Sequence, residues 1–123
     1  MSKSIIRDKS MEFAVRIVNL YKYLSSTKNE YVMSKQLLRC GTSIGANVHE
    51  ALRGQSRKDF LAKMYIAFKE FAETEYWLIL LMRTSYLTKR QGDSVLSDCM
   101  EIGRILASIT KTFKSNLGEE SRK

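Results

Sequence analysis

Apolar residues recur along this chain at steps of three and four and nowhere alternate at two, a pattern that predicts helices and no strands. The first stripe holds Phe13, Ile17, Leu20 and Leu24, widened by Ala14, Val18 and Tyr21, and predicts a helix over 8–24. A polar turn over 25–29 follows. Leu37, Gly41, Ile44, Val48 and Ala51 then mark a helix opening near Ser34, whose hydroxyl can take a free backbone donor. Gly54 is a natural stop just past its last turn. Ser56, followed three residues later by Asp59, opens a third helix that reaches about position 85. It carries two adjoining apolar rows: Phe60, Met64, Ala67, Phe71 and Leu78 in one, Leu61, Tyr65, Phe68, Ala72 and Ile79 in the other. Thr88 and Gln91 form a capping box ahead of a fourth stripe, Val95, Cys99, Ile102, Leu106, Ile109 and Phe113, in a four-three rhythm. The segment 115–123 is polar and is expected to fray.

Amphipathic helices joined by short loops pack as an antiparallel up-down four-helix bundle, an all-α fold in one domain over 1–123. The chain has no proline, so nothing interrupts long helices. Two glycines, Gly41 and Gly45, sit inside the second helix at a cost of about 1 kcal/mol each relative to alanine. Such a cost points to another backbone passing close by.

Candidate chemistry is sparse. The cysteines Cys40 and Cys99 match no metal or redox spacing and fall on apolar faces, where a buried thiol packs as a small hydrophobe. The single histidine, His49, has no partners at ligand spacing, and Cys40 lies roughly 13 Å from it along the helix. The Glu-x-x-His pair of metal-binding bundles is missing, and the glycines lack the strand and lysine of a phosphate loop. These features exclude the familiar routes to catalysis, and no metal or cofactor is expected. The most apolar stretch, 77–82, is far shorter than the ~20 residues of a membrane helix. A cytoplasmic protein is expected.

Charge changes the picture more. Lys and Arg number 21 against 13 Asp and Glu, a net charge of +8. Up-down topology gathers Lys3, Arg7, Lys9, Arg53, Arg57, Lys58, Lys111 and Lys114 at one bundle end, against mainly Asp8, Glu50 and Asp59. The other end holds Lys28, Lys89 and Arg90. Such a basic end suits a polyanion, through phosphates rather than bases, since no aromatic residue interleaves with it. Beside the apolar face of the second helix runs a polar row, Gln36, Arg39, Ser43, Asn47 and Glu50, read as a hydrogen-bonded seam with Arg39 or Arg53 reaching Glu70 or Glu73. The last two helices exceed the first two in length, and their extra apolar surface, including Phe68, Tyr76, Trp77 and Met82, is expected to be covered by self-association.

The stretch Ser34-Lys-Gln-Leu-Leu-Arg-Cys-Gly-Thr-Ser-Ile-Gly-Ala-Asn-Val-His-Glu-Ala resembles the signature of the four helix bundle protein family, also called 23S rRNA intervening-sequence proteins. The run from Asp59-Phe60 through Ile66-Ala-Phe-Lys-Glu70 to Glu73-Thr-Glu-Tyr-Trp-Leu78 is similar as well, and the resemblance spans nearly the whole chain. Position 40 is usually small in this motif, so Cys40 is a mild departure that packing accommodates. More distantly, the chain is similar to the accessory variability protein of diversity-generating retroelements, a barrel-shaped homopentamer whose basic surface engages nucleic acid and a reverse transcriptase. The resemblance implies a pentamer with an RNA connection, and does not carry over the reverse transcriptase. The expected function is a non-catalytic homo-oligomer presenting a basic face to RNA or DNA phosphates. The alternative is an adaptor that docks an acidic protein partner.

Overall fold

The computed structural model describes the backbone of residues 2–122 and the side chains of residues 5–112. Four helices follow one another: α1 (Ser2–Ser26), α2 (Met33–Leu52), α3 (Arg57–Arg83) and α4 (Lys89–Arg122). Contacts run α1 to α2, α2 to α3, α3 to α4 and α4 back to α1, with the diagonals kept apart, so the chain closes an antiparallel four-helix bundle. No strand occurs among the described residues.

α1 begins six residues earlier than the apolar stripe suggested, at Ser2 rather than at 8. Ile6 is fully buried and belongs to the core, and Ser10 continues the inward row between Ile6 and Phe13. A serine there hides the periodicity. It is accommodated because its hydroxyl donates to the Arg7 carbonyl at 3.1 Å. At the other end of the chain, α4 runs as helix through the segment expected to fray, which contains no proline.

Two caps are set as the sequence implied. Ser56 Oγ accepts from Asp59 N–H at 3.1 Å. Thr88 Oγ1 accepts from Gln91 N–H at 3.1 Å while Gln91 Oε1 accepts from Thr88 N–H at 2.9 Å, which satisfies two helix-end donors reciprocally. α2 is capped differently. Val32 stands at its N-cap with no side-chain cap bond, and Ser34 donates its hydroxyl to the Glu30 carbonyl instead. The acceptor is the Glu30 carboxylate, which takes N–H bonds from Val32, Met33 and Ser34 at 3.1, 3.0 and 2.7 Å. Asn29, in the left-handed region at φ 54°, turns the chain just before Glu30.

The core runs the length of the bundle from Ile6, Val48 and Phe60 to Leu24, Leu37, Leu81 and Leu87. α1 lies close on α2 because Gly45 has no side chain: a Cβ there would stand 3.1 Å from the Ser10 carbonyl oxygen. A Cβ on Gly41 would meet Ile17 at 2.9 Å. α3 lies as close on α4, with the Phe71 ring against Gly103 and Met82 against Gly92. Cys40, Thr74 and Cys99 are fully buried, and the Thr74 hydroxyl is satisfied by the Glu70 carbonyl at 2.7 Å.

Candidate functional site

The antiparallel register brings the start of α1, the α2–α3 turn and the far part of α4 to one end of the bundle. Arg7, Arg53, Arg57, Lys58 and Lys111 are exposed there. Arg7 pairs with Asp8 at 3.2 Å. Lys9, further along α1, is half-buried and bonded to Glu101 of α4 at 3.0 Å; that hydrogen bond and charge hold its ammonium above the usual lysine range. Arg53, Lys58 and Lys111 make no ion pair among the described residues. Lys3 and Lys114 lie outside the residues whose side chains are described.

The polar row lies between α2 and α3. Arg39 reaches Glu70 at 3.2 Å and Glu73 at 2.5 Å, and Glu73 also accepts the Trp77 indole N–H at 3.0 Å. The Arg39 bond, with that of Trp77, holds the Glu73 carboxyl below the usual range. Asn47 donates to the Ser43 carbonyl and hydroxyl at 2.9 and 3.0 Å. Glu50 meets Lys63 at 3.5 Å, while Gln36 is exposed on the same side. Arg53 takes no part in it. Across the opposite seam, Arg16 of α1 bonds Asp98 at 2.5 Å and the Ser94 hydroxyl at 2.6 Å on α4.

Of the four residues assigned to self-association, only Tyr76 is exposed, at 58%. Phe68 stacks on Phe71 with ring centroids 5.6 Å apart, Trp77 is tied to Glu73, and Met82 rests over Gly92. All three pack against the core. Another bare apolar surface is on α1, where Met11 and Val15 are 61% and 56% exposed. Met11 and Ala14 border a cavity of about 490 Å³ against Thr42, Gly45, Ala46 and His49 of α2, with Arg7 and Glu50 at its rim. Apolar counting along α1 missed this face because its outward residues interleave with Glu12, Arg16 and Asn19.

The outer face of α3 mixes aromatic and cationic side chains. Tyr65 and Tyr76 are exposed, and Lys58, Lys69 and Arg83 are exposed with them. The width of the apolar band was visible in the sequence. Its outermost positions alternate with the cations Lys58, Lys69 and Arg83, which a count of apolar residues alone does not show.

The profile of the 23S rRNA-intervening sequence proteins matches residues 2–108. The chain belongs to that family. A crystal structure of a protein with unknown function from Bacteroides thetaiotaomicron VPI-5482, described as of the S23 ribosomal protein family, is 58% identical. It superposes with a TM-score of 0.89 over 90% of this chain and 99% of that one. No curated protein matches. Neither description names a reaction. Among the described residues no group of three or more His, Cys, Asp or Glu side chains could hold a metal ion, and no helix is long and apolar enough to cross a membrane.

Proposed function

We propose that this member of the intervening-sequence family is a non-catalytic, cytoplasmic homo-oligomer that presents basic surfaces to the phosphate backbone of RNA or DNA. The observation that carries the reading is the basic bundle end, where Arg53, Lys58 and Lys111 stand exposed and without an acidic partner among the described residues. Arg7 and Lys9 contribute less, since Asp8 and Glu101 already neutralise them. Phosphate contacts of this kind release counterions and position a nucleic acid without reading its bases.

Self-association is assigned mainly to the α1–α2 face around Met11 and Val15, an exposed apolar patch beside a small-residue groove. The resemblance to the retroelement accessory protein supports five copies. A ring would repeat each basic end several times, and linked weak sites gain affinity without any new contact.

The test is molar mass by light scattering together with affinity for random-sequence RNA at rising salt. The expected outcome is a mass near five protomers and an affinity that falls linearly on logarithmic axes. A flat salt response would end the phosphate reading, and a monomer at working concentration would end the ring.

A further inference from the structure

The exposed residues of α3 fall into an order that a bundle core does not require. Lys58, Tyr65, Lys69, Tyr76 and Arg83 follow one another at steps of seven, four, seven and seven. At 3.6 residues per turn these steps keep all five within about 40° on one side of the helix. All five are exposed, with Tyr65 at 40% and Tyr76 at 58%. Lys69 stands between the two rings on this face, and Ala62 and Ala72 beside the stripe are short and exposed. Three of the four acids of α3 are engaged or withdrawn, Glu70 and Glu73 bonded to Arg39 and Glu75 half-buried, while the exposed Asp59 stands in the first turn beside Lys58. Alongside, the outer side of α4 adds the exposed cations Arg104 and Lys111.

We infer that the outer face of α3 binds single-stranded nucleic acid, with bases stacked on Tyr65 and Tyr76 and phosphates against Lys58, Lys69 and Arg83. The inference rests on the polyanion reading above and assigns it a second surface, one that touches bases. The stripe spans roughly 37 Å, with the two rings roughly 16 Å apart. Aromatic planes interleaved with cations are how proteins hold single strands without reading sequence, because every base offers a π-face to stack on. A duplex hides those faces. A second copy of this chain is a poor occupant of this face, because seating it there would take the charges of Lys58, Lys69 and Arg83 out of water.

Trp77 supplies a reporter, since its ring meets Tyr76 edge-on with centroids 5.1 Å apart and it is the chain's single tryptophan. The experiment titrates full-length protein with labelled (dT)12 and (U)12 and with a 12-base-pair duplex. Tyr65→Leu, Tyr76→Leu and Lys69→Ala are compared with wild type, with helicity and molar mass checked for each. The expected result is quenching of Trp77 by single strands and a loss of about 5- to 100-fold in single-strand affinity for either tyrosine change, with duplex affinity and mass unchanged. Lys69→Ala should lower the logarithmic salt slope by about 0.7. If wild type binds nucleic acid and the three variants bind equally well, the α3 face is excluded while the basic end keeps its role. If no nucleic acid binds at all, both readings fall. If the tyrosine changes lower the mass, the face is a subunit interface and the inference is wrong.

Discussion

The ring of Phe71 occupies the space where a β-carbon at position 103 would stand, so α3 and α4 pack through an aromatic plate on a bare stretch of helix. Gly103→Ala therefore brings two opposing effects. Helix propensity favours alanine by about 1 kcal/mol, while overpacking a buried ring costs typically 1–3 kcal/mol. Phe71 is 8% exposed and its ring is rigid, so overpacking should win. The urea midpoint is expected to fall, and to recover in part when Phe71→Leu is added. Gly92→Ala, which meets the unbranched side chain of Met82, should cost less because that chain can swing aside.

The Glu30 carboxylate ties the α1–α2 connection to the first turn of α2. Burial alone would push its carboxyl up, but the N–H groups of Met33, Ser34 and Val32 outweigh burial and hold it below the usual range. A carboxyl held low in the folded state adds stability above its unfolded value of about 4.3, and that stability is lost as pH falls through the folded value. Glu30→Gln should cost about 1 kcal/mol at pH 7, the usual scale of a lost cap. The gap between thermal melts of the two proteins should narrow progressively as pH falls below about 4.3. A gap that did not change with pH would count against the carboxylate as the source.

Neither thiol should react in the folded protein. Cys40 and Cys99 are free and fully buried. Burial pushes both up, Cys99 to about 12. Since the thiolate is the reactive form, a chromogenic disulfide reagent should titrate no thiol under native conditions and both in urea. Rapid labelling at pH 8 would show that the layer around Thr74 opens readily.

Arg39→Ala removes the shared partner of Glu70 and Glu73. Arg39 and Glu73 are substantially solvated, which keeps the pair on the modest scale of surface ion pairs, about 0.5–1 kcal/mol. Glu70, at 15% side-chain exposure, should place the loss at the upper end. The difference from wild type should shrink in 1 M salt, and Trp77 emission should shift because Glu73 keeps the indole as its remaining bonded partner.

The helices themselves were legible. The four-three rhythm from Val95 to Ile109 has one physical solution, and the cap signals at Ser56 and Thr88 are local chemistry that the structure reproduces. Other features depend on what folding brings together. Gly103 reads in sequence as a helix penalty, and only the arrival of Phe71 makes it a packing site. Glu30 reads as a loop acid until Asn29 turns it under α2. Phe68, Trp77 and Met82 count as surplus apolar surface along one helix, yet each finds cover within its own chain. The basic end followed from topology alone, whereas neutralisation of Lys9 by Glu101 required the register between α1 and α4.

The close contacts at Gly41 and Gly45 fall within α1–α2 and those at Gly92 and Gly103 within α3–α4, with Gly54 in the turn against Asp59 and Phe60, while the ion pairs Arg39–Glu70, Lys63–Glu50, Lys9–Glu101 and Arg16–Asp98 run between those two halves. The bundle thus joins two helical hairpins, each seated on its glycines, through extensive α2–α3 packing, a shared core and charged edges. Their covalent link is the exposed turn over 53–56. Cutting the chain there would leave the contacts at Gly41, Gly45, Gly92 and Gly103 intact. The two fragments, expressed separately, should find one another and rebuild the bundle, as halves of a molecule whose middle connection is a tether.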